Sequence, residues 1–246
     1  MKKTIYYASI LLSLGVLAGC GQTKGASVHQ LTKEEQALVW QEEREKTFGY
    51  YDYKALPDEQ EMTTLMETKF GLSLPKSYAI FQQLLADTPY FQQQQVLGHA
   101  YELIASGEQL LVHTQTQFGG EQTQVTADVS LTYKVNPTDQ RAYLAEQTLV
   151  IHDETPAETI QLYDSLPELC KGVAQPLTFG DVNDEVTAFQ KEHGAVEPEL
   201  AQQALSVTDN TAAMKEKKGL QKSIQVFYDA NGVLREVYVS LMDLTE

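Results

Sequence analysis

From Val125 to Val135 the chain alternates without a break. Val125, Ala127, Val129, Leu131, Tyr133 and Val135 are apolar or aromatic, and Thr126, Asp128, Ser130, Thr132 and Lys134 between them are polar. A pleated strand turns successive side chains to opposite sides, so the pattern predicts a strand with one buried and one wet face. Asn136-Pro137-Thr138-Asp139 breaks it, and residues 141–152 return as a further, less regular strand. Upstream, Leu110, Val112 and Phe118 share one face of residues 109–118, and Gly119-Gly120 makes a turn before Val125. Residues 96–105 read as a strand rather than as a Gln-rich helix started by Thr88-Pro89, because Gly98 would weaken a helix interior by about 1 kcal/mol relative to Ala. Ser106-Gly107 separates that strand from the next. Four strands joined by short turns predict an antiparallel meander over residues 96–153, whose wet face is a candidate binding surface.

The segments around the meander read as helical until the last hairpin. Thr32 and Glu35 have capping-box spacing, and Ala37, Leu38 and Trp40 followed by Glu42, Glu43 and Glu45 predict one amphipathic helix over 32–47. A second helix runs from Pro57 or Asp58 to Phe70 and is closed by Gly71; a third begins at Pro75, with Tyr78, Phe81, Leu84 and Leu85 at helical spacing. Beyond Thr155-Pro156, helices are predicted near 157–169, at 181–193 ended by Gly194, and at 197–206. Ile224, Val226 and Tyr228 then alternate up to Asp229-Ala230-Asn231-Gly232, and Val233, Val237, Val239 and Leu241 alternate away from it, a strong hairpin signal. A lone hairpin is marginal in water, so this one should join or flank the meander. The whole predicts a single α+β domain over 31–246, mainly helical at 31–95, with helices packed on one face of an antiparallel sheet.

The N-terminus reads as an address. Lys2 and Lys3 precede an apolar run from Ile5 to Val16, shorter than the roughly 18 residues that cross a bilayer. It ends in Leu17-Ala18-Gly19-Cys20, which resembles the lipobox of bacterial lipoproteins. The resemblance implies that residues 1–19 are a signal peptide recognised at Leu17, Ala18 and Gly19 by signal peptidase II. It also implies that Cys20 is alkylated by a diacylglycerol group and carries the palmitate-type anchor. Two acyl chains, at about 0.8 kcal/mol per buried methylene, hold on the order of 20 kcal/mol of membrane affinity. The protein is therefore expected at the outer face of the bacterial cell membrane, with residues 20–30, including the small and polar Gly21 to Ser27, as a tether.

Charge and motif content narrow the partners. The chain has 18 Lys and Arg against 34 Asp and Glu, which argues against nucleic acid, since phosphate binding draws on clustered bases. Residues 151–200 hold 11 acids and 2 bases, either a solvated face or a docking surface for a basic partner. G-x-S-x-G, P-loop, H-E-x-x-H and Rossmann signatures are absent from the sequence, so no catalytic residue, cofactor or metal is assigned. Asp181, Asn183, Asp184 and Glu185 suit the start of a helix, and Asp229 to Gly232 suits a turn, better than either suits a cation. His152-Asp153-Glu154 on a strand end points to opposite faces, whereas His99 and His113 could face each other across the first hairpin. With Cys20 lipidated, Cys170 is the only thiol left and reads as a small buried hydrophobe. Tyr50, Tyr51 and Tyr53, around Asp52, are the best candidates for a protein-contact patch.

These features predict a non-enzymatic, membrane-anchored accessory factor that binds a protein or peptide. The plan of lipid anchor, N-terminal helices and meander resembles the TipC-type immunity lipoproteins, which protect bacteria from toxins acting outside the cell. That likeness of layout covers the central half of the chain, carries over no residue, and implies toxin immunity at the cell surface as an alternative. A cell-envelope enzyme without a recognisable motif is a second alternative.

Overall fold

The strand pattern sets the architecture. The computed structural model describes residues 30–120, 124–157 and 161–245; the signal peptide, Leu17-Ala18-Gly19 and Cys20 lie outside the described residues. Within them nine antiparallel strands form one sheet: β1 (Gln41–Glu43), β2 (Gly49–Leu56), β3 (Gln95–Gly107), β4 (Gln109–Gly119), β5 (Gln124–Asn136), β6 (Arg141–Asp153), β7 (Ala204–Asp209), β8 (Leu220–Tyr228) and β9 (Leu234–Asp243). Their spatial order is β2-β3-β4-β5-β6-β9-β8-β7, with β1 paired to the first residues of β6. The helices are α1 (Lys33–Gln36), α2 (Glu59–Leu65), α3 (Lys76–Asp87), α4 (Pro89–Gln92), α5 (Leu162–Ala174), α6 (Asn183–Glu192) and α7 (Thr211–Lys217). The meander is β3 to β6, and the C-terminal hairpin joins it through β6 and β9, Leu149 standing opposite Val239.

Register sorts the side chains. The odd-numbered residues of β5 from Val125 to Val135 are buried, and they share one apolar cluster with Leu103, Val112, Leu149, Val239 and Ile224 of the neighbouring strands. Met62, Phe81, Leu85, Leu166, Val173 and Phe189 of the helices belong to the same cluster, so these helices cover one face of the sheet. Helix ends follow the local rules. Asp58 caps α2 by accepting the Glu61 amide at 2.8 Å, and a π-turn over Met66–Phe70 closes on Gly71 at φ 68°, where a residue without Cβ is unstrained. At the hairpin turn Gly232 has φ 73°, and a Cβ there would stand 2.1 Å from the Glu197 carbonyl oxygen.

Three expectations are corrected. The Thr32–Glu35 capping box forms, but α1 ends after four residues, and residues 41–43 of the expected 32–47 helix run as β1 beside Arg141–Tyr143. The start of β6 lies beyond the reach of β9, and β1 supplies its backbone partners; Trp40 stacks edge-on against Tyr133 with centroids 5.4 Å apart. The helix expected at 157–169 is α5, displaced to Leu162–Ala174. The helix expected at 197–206 is a single 3₁₀ turn over Pro198–Leu200 followed by edge strand β7, where Leu205 and Val207 lean inward at period two. The region 31–95 accordingly holds β1 and β2 as well as helices.

One buried ion pair fastens the start of the fold to the sheet. Lys222 Nζ on β8 lies 2.7 Å from Glu35 Oε1 and donates to the Thr178 carbonyl and hydroxyl oxygens at 2.7 and 2.9 Å. The other Glu35 oxygen accepts the Thr32 amide at 3.0 Å, completing the capping box. Removing one partner of a buried pair strands the other charge away from water, whereas removing both does not. Glu35→Ala is expected to lower unfolding free energy by about 3 kcal/mol, and Glu35→Leu combined with Lys222→Met to recover most of it. Urea denaturation of the three proteins checks this, and equal losses in the single and double variants would count against it.

Candidate functional site

The face of the sheet opposite the apolar cluster brings its side chains together by cross-strand register alone. One row runs Glu102 (β3), His113 (β4), Ser130 (β5), Thr148 (β6), Ser240 (β9), Ser223 (β8). The next runs Ala100, Gln115, Asp128, Val150, Tyr238, Gln225, and the one beyond it Gln117, Thr126, His152, Glu236, Phe227. On the other side Ile104 stands opposite Leu111, and Thr132 opposite Glu146. Among the described residues Ile104, Leu111, Val150 and Tyr238 stand outside the main apolar cluster, half-buried between acids. Half-buried apolar area interleaved with charge distinguishes this face from the closed apolar core.

Acids dominate this face. Asp52, Glu102, Asp128, Glu146 and Glu236 project from it together with Lys54, which pairs with Asp52 at 2.9 Å, and Lys134. His113 Nε2 lies 2.9 Å from Asp128 Oδ1, and its Nδ1 lies 3.7 Å from Glu102 Oε2. Gln115 Nε2 donates to the same Asp128 oxygen at 2.8 Å. His152 Nδ1 lies 2.9 Å from Glu236 Oε1, and its Nε2 lies 3.6 Å from Glu154 Oε1. The Asp128 hydrogen bond raises the His113 pKa above its ordinary value; burial opposes this and the Asp128 and Glu102 charges add to it. Glu236 does the same for His152, against burial and the positive charge of Arg235.

The tyrosine patch divides between the two faces, because adjacent strand residues point apart. Tyr50, 81% exposed, stands on the open face opposite Ser106. There it borders a polar recess of about 730 Å³ lined also by Gln109, Lys134, Pro137 and Tyr143. Tyr51 and Tyr53 turn to the helix face: Tyr51 meets Phe70 edge-on at 6.0 Å, and Lys69 Nζ sits 3.4 Å over the Tyr51 ring and donates to the Tyr53 hydroxyl. Of these three tyrosines, Tyr50 is the one that stands on the open face.

The histidine expectations split likewise. His99 bonds Thr116 on the helix face at 3.1 Å, and His113 stands opposite Glu102 on the open face, so the two do not meet. The unbroken register from the Ser106–Gln109 pair at the hairpin turn sets this, carrying His99 to Thr116. His152 and Asp153 do point apart: buried Asp153 accepts the Tyr90 hydroxyl at 2.5 Å and the Thr155 amide at 2.8 Å. Asp181 accepts the Asn183 amide at 3.0 Å at the start of α6, and Asp229 accepts the Asn231 and Val233 amides within the hairpin turn. Asp164, Glu168, Asp184, Glu185 and Glu192 of the acidic 151–200 region are exposed on the outer sides of α5 and α6. Cys170 is buried in α5, its thiol pushed up to about 12 by desolvation, which suppresses the reactive thiolate. Sequence reading missed the grouping of Glu102, His113, Asp128, His152 and Glu236, which are far apart along the chain. Chemically the grouping can take up protons at its two imidazoles beside carboxylates.

A histidine whose folded pKa is raised stabilises the fold fully below its unfolded value, about 6.5, and that contribution is lost as pH rises through the folded value. Urea midpoints should therefore fall between about pH 6 and about pH 8.5, and His113→Gln with His152→Gln should remove part of the fall. Parallel pH profiles for the variant and the unaltered protein would contradict the assignment.

No protein-family model matches the chain, and neither a curated protein nor a solved structure matches it.

Proposed function

We propose that this protein is a lipid-anchored, extracytoplasmic binding protein, attached through Cys20 to the outer face of the bacterial cell membrane, whose open sheet face docks a cationic protein or peptide. The observation that supports the docking reading most is the excess of carboxylates on that face, set among half-buried Ile104, Leu111, Val150 and Tyr238 with Tyr50 at one end. A negative field attracts a basic partner and speeds its encounter, and the apolar residues supply area that water leaves on contact. An anionic membrane surface repels the same body, which favours a partner approached from outside. The lipobox supports the anchor, and the layout likeness to TipC-type immunity lipoproteins makes a secreted toxin one kind of partner.

Two experiments test this. Cys20→Ala should leave an unlipidated product, uncleaved or released; mass spectrometry of the native protein showing an intact Met1 and a bare thiol at Cys20 would refute the anchor. For the face, Glu102→Gln, Asp128→Asn and Glu236→Gln together should weaken binding of a basic partner or a decalysine probe about tenfold, at about 0.5 kcal/mol per lost charge. Added salt should mimic the triple substitution. Unchanged affinity in the variant would place docking elsewhere on the molecule.

A further inference from the structure

The two histidines of the open face lie on different strands yet share one arrangement. His113 on β4 has Glu102 directly opposite on β3 and Asp128 diagonally across on β5. His152 on β6 has Glu236 directly opposite on β9 and Glu154 two residues along the chain. In both, each ring nitrogen faces a carboxylate, one at 2.9 Å and the other at 3.6 or 3.7 Å. An imidazolium donates from both nitrogens and serves both acids at once; the neutral ring has one donor and sets a lone pair against the second carboxylate.

The remaining neighbours are few. Gln115 Nε2 shares Asp128 Oδ1, and Ser130 stands opposite His113 on β5. Arg235 on β9 acts against the protonation of His152, and Thr126 stands opposite it on β5. Protonating both rings changes the charge of these two clusters, four carboxylates and two imidazoles, from −4 to −2.

We propose that His113 and His152 gate the docking face by pH: neutral, they leave Glu102, Asp128, Glu154 and Glu236 to a cationic partner; protonated, they take up those carboxylates themselves and the partner leaves. This deepens the docking-face reading and rests on it. Both rings keep their protons to higher pH than a free histidine, so the changeover falls above about pH 6.5. A partner held there above that changeover is released when the surroundings acidify through it.

The test uses the full lipid-anchored chain in zwitterionic micelles with fluorescent decalysine as the probe, whose own charge is constant over the range. Its Kd should be about fivefold weaker at about pH 5.5 than at about pH 8.5, the effect of adding two surface charges. His113→Gln with His152→Gln should bind at both pH values with the tighter affinity. Side-chain NMR of the unaltered chain, which needs no variant to fold, should show the two rings titrating above the free-histidine value. Equal pH responses in the unaltered and doubly substituted chains, or rings titrating at or below the free value, would overturn the gate while leaving the docking face standing. Should the triple carboxylate variant bind decalysine as the unaltered chain does at every pH, both the docking face and its gate would fall.

Discussion

The constraint on which this molecule depends is the two-residue repeat of a β-strand. Because successive Cβ atoms leave a pleated strand on opposite sides, a sheet built from alternating segments has two chemistries back to back. In β5 the residues that bury Val129, Leu131 and Tyr133 under the helices necessarily lift Asp128, Ser130 and Thr132 to the other side. A slip of one residue would send the carboxylate of Asp128 into the core, so the energy of apolar burial also fixes the positions of the charges. The acids of the open face are thus held rigidly by interactions they do not themselves make.

Completion of the sheet depends on pieces that carry little pattern of their own. β1 completes the pairing of β6, and β7 makes the far edge beside β8. The Glu35–Lys222 pair, with the Thr178 oxygens as further acceptors, ties α1, the loop after α5 and β8 at one buried point. Such a pair contributes little net stability beside well-packed apolar residues, but it tolerates no partial replacement. Its place on the first described helix means that the start of the fold is joined to the sheet by charge as well as by apolar packing.

On the open face, the proposed recognition and its proposed regulation draw on the same groups. A carboxylate that a cationic partner needs is also the natural partner of the imidazole beside it, and the two claims compete directly. The register placed both histidines one strand spacing from an acid, within hydrogen-bond reach of it and partly shielded from water, where a change of one proton is felt more strongly than on a fully solvated surface. The exposed acids of α5 and α6 stand outside these two histidine clusters and read as a solvated coat.

Much of this was legible before any coordinates. The meander, the Asn-Gly hairpin and its joining to the sheet, helices α2, α3 and α6, the burial of Cys170 and the opposite headings of His152 and Asp153 all follow from short-range rules of period, turn chemistry and capping, which need only the local chain. The short elements β1, β7 and α7 escaped, because segments of three to seven residues carry too few repeats of either period. Leu38 and Trp40 looked like the apolar stripe of a helix until β6 required a partner. The sequence by itself determined which residues face in and which face out, since alternation is a property of the backbone. Tertiary structure alone decided which outward residues meet, that Tyr50 parts from Tyr51 and Tyr53, and that His113 finds Glu102 and Asp128 instead of His99, because register, bulges and strand order are set by packing between segments distant in the chain.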